Sequence, residues 1–119
     1  MARILLADDD ATVRDLVERV LVAGGHGVLT AQDGQQALAL GESGADIDAL
    51  VTDVEMPGLD GISLAKRLSV SRPGLRVLLM SGYPEHLERG ITEIGGRIEV
   101  LTKPCSIDEI RRRLEALLA

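Results

Sequence analysis

The sequence predicts an α/β fold, a doubly wound (βα)5 unit built on a five-stranded parallel sheet. Five short apolar runs alternate with five stretches of helical periodicity along the 119 residues, and such alternation is typical of parallel strands joined by crossover helices. Right-handed crossovers cover both faces of the sheet with helices, and the strand order 2-1-3-4-5 suits such a unit. With no repeat or linker in the chain, we expect residues 1–119 to form one domain.

The first half of the chain contains three of the predicted strands and two of the helices. The strands are Arg3–Ala7, Gly27–Thr30 and Asp48–Thr52, and the helices are Ala11–Ala23 and Gly34–Glu42. The first helix carries apolar residues at the i, i+3, i+4, i+7 and i+8 positions of one face, and these are Val13, Leu16, Val17, Val20 and Leu21. Asp33 and Gln36 predict a capping box at the start of the second helix.

The second half of the chain contains the remaining three helices and two strands. A helix follows Asp60 and ends near Ser71, and the later elements are Arg76–Met80, Pro84–Thr92, Ile98–Leu101 and Ile107–Leu118. The helix from Pro84 has the weakest pattern because it contains Gly90, and glycine costs about 1 kcal/mol relative to alanine inside a helix. Ser106 and Glu109 predict a capping box for the last helix.

The composition excludes several classes of protein. The apolar fraction is 45% and Tyr83 is the only aromatic residue, so the core must be aliphatic. The net charge of -6 argues against nucleic-acid binding through a basic face. No apolar stretch approaches the ~20 residues that span a bilayer, and Asp8–Asp10 interrupt any signal-peptide pattern. We therefore expect a cytoplasmic protein without membrane insertion. His26 and His86 are expected on the surface, with no role as ligands.

Acidic residues follow two of the predicted strands, and a lysine follows a third. Asp8, Asp9 and Asp10 come after the first strand, Asp53 after the third and Lys103 after the fifth. The carboxyl ends of parallel strands open into one crevice, so these side chains should meet at its edge.

Carboxylates that lie this close repel one another unless a cation lies among them. Mg²⁺ binds oxygen ligands and usually keeps several waters, so two carboxylates, one backbone carbonyl and waters would suit it. Helix capping by Asp9 or Asp10 would account for one acid, but not for three in a row or for Asp53. Together with Lys103, the cluster suggests a divalent cation that handles a phosphoryl group.

Ser81 ends the fourth predicted strand, next to Gly82. Its hydroxyl could donate to a phosphoryl oxygen, or it could cap or turn the chain, and the residues alone leave both interpretations open. Lys103 could pair with Asp53 or with a phosphoryl oxygen.

Four strings carry a resemblance to a known family. ILLADDD, LVTDVEMPGLDG, VLLMSGYPE and VLTKP resemble the receiver domains of two-component response regulators, which have the flavodoxin-like, CheY-like fold. The similarity covers essentially the whole chain, with all four motifs in order. The resemblance implies a signalling module that catalyses only its own phosphorylation and dephosphorylation. It also implies a monomer or weak homodimer whose partner is a sensor histidine kinase or a histidine phosphotransfer protein.

The resemblance also implies roles for individual residues. Asp53 would be the phosphoacceptor, taking its phosphoryl group from a phosphohistidine. Asp9 would bind Mg²⁺ directly and Asp8 through water, with Asp53 and the backbone carbonyl of Glu55 as further ligands.

Other positions either match or depart from the family pattern. Ser81 and Lys103 would bind the phosphoryl oxygens. The family usually has an aromatic residue three positions before the lysine, as half of its conformational switch, and here that residue is Val100. Tyr83 is a candidate substitute, so the predicted switch residues are Ser81, Tyr83 and Val100. Cys105 also replaces a common phenylalanine, which reduces the aromatic bulk on a face where many relatives bind partners.

Several alternatives accompany this interpretation. The domain could be a stand-alone regulator or the receiver of a hybrid histidine kinase, which the MSGY string resembles. A Mg²⁺-dependent phosphohydrolase with an aspartyl nucleophile would normally need Asp-x-Asp, where this chain has Asp53-Val54-Glu55. A flavin carrier would need a phosphate-binding loop after the first strand. An interaction scaffold that works without phosphorylation is the remaining alternative.

Overall fold

Five parallel strands form one sheet in the order β2-β1-β3-β4-β5. The computed structural model describes all of residues 1–119. The strands are β1 (Arg3–Ala7), β2 (Gly27–Ala31), β3 (Ala49–Asp53), β4 (Arg76–Ser81) and β5 (Ile98–Thr102). The helices are α1 (Ala11–Ala23), α2 (Gly34–Glu42), α3 (Gly61–Ser71), α4 (Pro84–Ile94) and α5 (Ile107–Leu118). The predicted fold class and strand order are confirmed.

Strands β3 and β4 each extend one residue beyond their predicted carboxyl ends, and the added residues are polar residues of interest. The predicted third strand ended at Thr52, but β3 continues to Asp53, which pairs with Met80 of β4. Likewise β4 continues to Ser81, which pairs with Thr102 of β5. A strand ladder is made by the backbone, so a polar side chain can occupy its last rung as readily as an apolar one. Asp53 and Ser81 are therefore held by the sheet itself.

Two apolar layers enclose the sheet, one on each face. Alternate side chains of a strand point to opposite faces, so Leu5 and Leu50 pack on the side of α2, α3 and α4. Ile4 and Val51 pack on the side of α1 and α5. As the composition predicted, neither layer contains an aromatic side chain. No helix combines the length and the apolar character needed to cross a membrane.

The two predicted capping boxes have different outcomes. At the start of α5, Ser106 accepts from the Glu109 amide and the Glu109 carboxylate accepts from the Ser106 amide, so this box is confirmed. At α2, the Asp33 carboxylate accepts from the Gln36 amide at 2.7 Å. The Gln36 side chain, however, accepts from the Gln32 amide and not from that of Asp33. Asp33 is an ordinary N-cap, and the long Gln36 side chain reaches one residue further back.

Two glycines permit close approaches that matter for the site. A methyl group at Gly61 would overlap the carbonyl oxygen of Asp53 and lie 2.9 Å from its carbonyl carbon. At Gly90, a methyl group would overlap a methyl of Leu79, because α4 packs tightly against β4 there. Gly90 was the reason for expecting a weak helix that ended at Thr92, but α4 extends to Ile94. Packing against the sheet compensates for the low helix propensity of this glycine.

Candidate functional site

Three carboxylates meet where β1 and β3 end, at the edge of the crevice predicted from the topology. Each of Asp8, Asp9 and Asp53 offers a carboxylate oxygen, and these oxygens all lie within 4.8 Å of one another. Asp8 is fully buried and Asp53 nearly so, whereas Asp9 is exposed. Asp10 points elsewhere, because its carboxylate accepts from the Thr12 amide at 2.9 Å and caps α1. One acid of the run therefore caps the helix, and the other two join Asp53.

The Lys103 ammonium is the positive charge of this cluster. Its Nζ lies 3.1 Å from Oδ2 of Asp53 and 3.5 Å from Oδ2 of Asp8. The backbone holds the lysine in place, since its amide donates to the Ser81 carbonyl at 2.8 Å. The sequence offered Asp53 or a phosphoryl oxygen as the partner of Lys103, and the structure places the ammonium between Asp53 and Asp8.

The electrostatics of the cluster show a shortage of positive charge. Burial raises the pKa of Asp53 and that of Asp8 above the ordinary carboxyl value, although Lys103 opposes both shifts. Burial alone would lower the pKa of Lys103, but the carboxylates of Asp8 and Asp53 outweigh it and the pKa is raised. One ammonium therefore lies beside two buried carboxylates and an exposed third, and its single positive charge does not neutralise their negative charge.

One oxygen of Asp53 has no partner. Oδ1 of Asp53 is buried without a hydrogen bond, and buried polar atoms without partners are rare and costly. Hard divalent cations prefer carboxylate oxygens. The unpartnered oxygen, the neighbouring acids and the excess negative charge therefore fit a Mg²⁺ ion.

Ser81 lies on the neighbouring strand, fully buried, with its hydroxyl turned to Glu55. Its Oγ donates to Oε2 of Glu55 at 2.7 Å and accepts from the Tyr83 amide at 3.0 Å. The hydrogen bond from the Tyr83 amide stabilises the turn after β4, which is one of the two roles that the sequence left open for Ser81. In this structure the hydroxyl proton is donated to Glu55 and not to Asp53.

His86 is a residue of this region that the sequence analysis missed. Its Nδ1 lies 2.8 Å from Oε2 of Glu55, the same oxygen that accepts from Ser81. His86 is partly exposed at the surface, but it also pairs with a residue of the site, which the sequence did not predict. His26 is also partly buried, and its ring accepts from the Ala2 amide at 3.0 Å. No periodicity marks the contact of His86, because a loop and the first turn of α4 make it.

The predicted switch residues do not form a buried pair. Val100 is partly buried on β5 and packs against the apolar layer below α4. The side chain of Tyr83 is on the surface, 54% exposed, and its ring centroid lies 4.9 Å from that of His86. Tyr83 therefore does not fill the place of a missing core aromatic.

A cleft of about 360 Å³ opens beside Lys103, between α1 and α5. Its walls are mostly apolar and include Val13, Leu16 and Ile110, with Cys105 at its edge. Burial and, to a smaller extent, the Glu109 carboxylate raise the pKa of the Cys105 thiol. A thiol with a raised pKa is a poor nucleophile, which agrees with Cys105 as an apolar filler.

The comparisons with known proteins define the class. Residues 4–115 match the model of the response regulator receiver domain, and the chain belongs to that family. Receiver domains are the phosphoacceptor modules of two-component signal transduction and interact with histidine kinases, so the class predicted from the sequence is confirmed.

Individual relatives add detail. The transcriptional regulatory protein TcrA of Mycobacterium tuberculosis is 38% identical over 115 residues, which are 97% of this chain and 45% of TcrA. The receiver domain of the hybrid histidine kinase CckA is 35% identical with a TM-score of 0.84, covering 98% of this chain and 99% of that one. The response regulator TrrA of Thermotoga maritima, solved in complex with Mg²⁺-BeF, is 27% identical with a TM-score of 0.85 and covers 98% of this chain and 99% of its own. The chain spans about half the length of the curated relatives it matches.

Proposed function

We propose that Asp53 accepts a phosphoryl group from a phosphohistidine, and that residues 1–119 act as one receiver domain in doing so. The observation that supports this most directly is the unpartnered, buried Oδ1 of Asp53, with the Lys103 ammonium 3.1 Å from the other oxygen. The reaction needs one carboxylate oxygen of Asp53 as the nucleophile and leaves the other for Mg²⁺, and the neighbouring ammonium can neutralise charge that develops on the phosphoryl oxygens.

In this proposal a carboxylate oxygen of Asp53 forms a bond to phosphorus while the bond from phosphorus to the histidine nitrogen breaks. The electron pair of the broken bond stays on the imidazole of the donor. Lys103 and the Ser81 hydroxyl then bind phosphoryl oxygens. Because Ser81 donates to Glu55 in this structure, its hydroxyl must rotate to take that role.

We further propose that Asp9, Asp53 and the Glu55 carbonyl hold Mg²⁺ directly and that Asp8 holds it through water. The close approach of the three carboxylates supports this set, and so does the complex of the relative TrrA with Mg²⁺-BeF. When bound, Mg²⁺ neutralises charge on the oxygens of the phosphoryl group and of Asp53.

The same site would catalyse only the phosphorylation and the dephosphorylation of its own Asp53. In the second reaction, water would take the phosphoryl group from Asp53. A sensor histidine kinase or a histidine phosphotransfer protein would be the donor. The likeness to TcrA favours a receiver joined to an output domain, and the likeness to CckA favours a receiver of a hybrid kinase. We also propose a monomer or weak homodimer.

The test is to incubate the protein with Mg²⁺ and acetyl phosphate and to read its intact mass at short times. We expect the wild type to gain one phosphoryl group, and neither Asp53→Asn nor the wild type in EDTA to gain any. Asp33→Asn is the matched control, because it makes the same change at an N-cap where asparagine also serves, and it should gain the group as the wild type does. A wild type that gains nothing, even from a phosphorylated kinase, would refute the proposal and favour the phosphorylation-independent scaffold.

A further inference from the structure

One carboxylate oxygen of Glu55 is shared by two donors from different parts of the fold. Oε2 accepts from the Ser81 hydroxyl at 2.7 Å and lies 2.8 Å from Nδ1 of His86. An ionised carboxylate only accepts hydrogen bonds, so Nδ1 of His86 carries the proton of this contact. The arrangement connects the end of β4, the loop after β3 and the first turn of α4 through a single oxygen atom.

Ser81 cannot serve Glu55 and a phosphoryl group at the same time. Its hydroxyl has one proton, and its oxygen is already an acceptor for the Tyr83 amide. While the proton is donated to Glu55, none is available for an oxygen on Asp53. The Glu55 charge is also unfavourable for Asp53, because it contributes to the raised pKa of that carboxyl, after burial and Asp8. A phosphoryl group on Asp53 would add further negative charge beside Glu55.

We propose that His86 is a positioning residue that holds the Glu55 carboxylate on Ser81 and so keeps the Ser81 hydroxyl away from Asp53 until a phosphoryl group arrives. This inference rests on the proposed phosphorylation of Asp53. When a phosphoryl oxygen accepts the hydrogen bond of the Ser81 hydroxyl, Glu55 loses one of its two donors and keeps His86. The pair then moves away from the site together, and His86 carries that movement into the start of α4.

The hydrogen bonds from Ser81 through Glu55 to His86 compensate for the buried aromatic residue that the chain lacks. With Val100 where the family usually has an aromatic residue, and with the Tyr83 ring on the surface, no buried aromatic links Ser81 to α4. The hydrogen bonds through Glu55 make the same connection with polar groups. The Tyr83 ring packs against the His86 ring, with 4.9 Å between the two centroids.

A double-mutant cycle tests whether Glu55 and His86 act as a unit. His86→Leu removes the donor, Glu55→Met removes the acceptor, and the rate of phosphoryl uptake from acetyl phosphate is measured by intact mass. Since the net contribution of an intramolecular hydrogen bond corresponds to roughly threefold to tenfold in an equilibrium constant, we expect each single variant to react faster by about that factor. In the Glu55→Met background, His86→Leu should change nothing further, because coupled residues do not give additive effects.

Two further variants separate positioning from a general effect on α4. His86→Gln keeps a donor that can reach Glu55 and should return the rate towards that of the wild type. Glu88→Gln changes an exposed residue of the same helix and should leave the rate unchanged. Equal effects of His86→Leu in both backgrounds, or no effect in the wild type, would overturn the proposal.

The positioning of the Ser81 hydroxyl by Glu55 and His86 can also be measured without phosphorylation. The Tyr83 amide donates to the Ser81 oxygen, so its ¹H–¹⁵N resonance reports the state of that hydroxyl. We expect this resonance to shift in His86→Leu and Glu55→Met but not in Glu88→Gln. An unshifted resonance in all three variants would refute the proposed positioning of Ser81 by Glu55 and His86. A wild type that takes up no phosphoryl group, although the resonance shifts as expected, would refute the proposed function instead.

Discussion

Replacing Gly61 by alanine should weaken the fold and the site together. Gly61 is the first residue of α3, and its amide donates to the Val54 carbonyl at 2.9 Å. An added methyl would overlap the Asp53 carbonyl oxygen and lie 3.0 Å from the Val54 Cα. These are backbone atoms, which cannot rotate aside as the end of a side chain can, so the start of α3 and the end of β3 must separate.

The structure sets the size of the effect. Carbon atoms pack at about 3.5–4.0 Å, and the overlap with the Asp53 carbonyl oxygen is tighter than the 3.0 Å contact with the Val54 Cα, so the two backbone segments must separate by roughly 1 Å. Overpacking of this kind costs about 1–3 kcal/mol, and alanine recovers at most about 1 kcal/mol of helix propensity. We expect Gly61→Ala to lower the free energy of unfolding by about 2 kcal/mol. Since the displaced residue is Asp53, and a 1 Å misplacement can cost about 10²-fold in rate, phosphoryl uptake should also slow markedly.

Urea unfolding followed by far-UV circular dichroism measures the first effect, and intact mass after incubation with acetyl phosphate measures the second. Gly74→Ala is the matched control, because no atom lies within 4 Å of the position its methyl would take, and it should behave as the wild type. If Gly61→Ala were as stable as Gly74→Ala and took up the phosphoryl group at the same rate, the close approach of α3 to Asp53 would not be a real constraint.

Four other outcomes follow from the site and from the start of α5. The pKa values of Asp8 and Asp53 are raised in the folded state, so without Mg²⁺ the folded protein binds more protons than the unfolded chain just above the ordinary carboxyl pKa. The free energy of unfolding should therefore fall as pH rises through that range, and pH-dependent urea titrations should show a flatter profile for Asp53→Asn. At neutral pH, Mg²⁺ at a hundred times its dissociation constant should raise the free energy of unfolding by about 2.7 kcal/mol. A melting temperature that does not change with Mg²⁺ would contradict the metal site. Lys103→Met should slow phosphoryl uptake at least about tenfold, because one tenfold step corresponds to about 1.4 kcal/mol of lost charge stabilisation, and an unchanged rate would exclude that role. Ser106→Ala should cost about 1 kcal/mol in urea unfolding, and no loss would mean that the capping box contributes nothing.

The fold was predictable because its main signals are local and repeated. Apolar runs and helical spacing located every element, and the order 2-1-3-4-5 was expected because it suits a doubly wound unit. The errors lie at the ends, where polar residues continue a backbone ladder, as at Asp53 and Ser81. In α4 the error has another source. Gly90 lowers helix propensity in the sequence, but in the structure it allows the helix to approach Leu79.

The acidic cluster was predictable for a topological reason, whereas the contacts around Glu55 were not. Asp8 and Lys103 each follow a strand and Asp53 ends one, and parallel strands bring their carboxyl ends to one edge whatever the side chains do. The Glu55–His86 contact depends instead on the rotamers of two residues that are 31 positions apart, one in a loop and one in a first helical turn. Nothing in the spacing of the sequence constrains those rotamers.

The lack of aromatic residues in the core has a practical consequence for spectroscopy. Tyr83 is the only aromatic side chain of the Phe, Tyr and Trp class, and it lies beside Ser81 with its ring against His86. Tyrosine emission and near-ultraviolet ellipticity therefore arise at the rim of the crevice, with no background from the interior. A beryllofluoride titration could be followed in the unlabelled protein by the fluorescence of Tyr83. The same signal would change little when side chains repack in the two apolar layers.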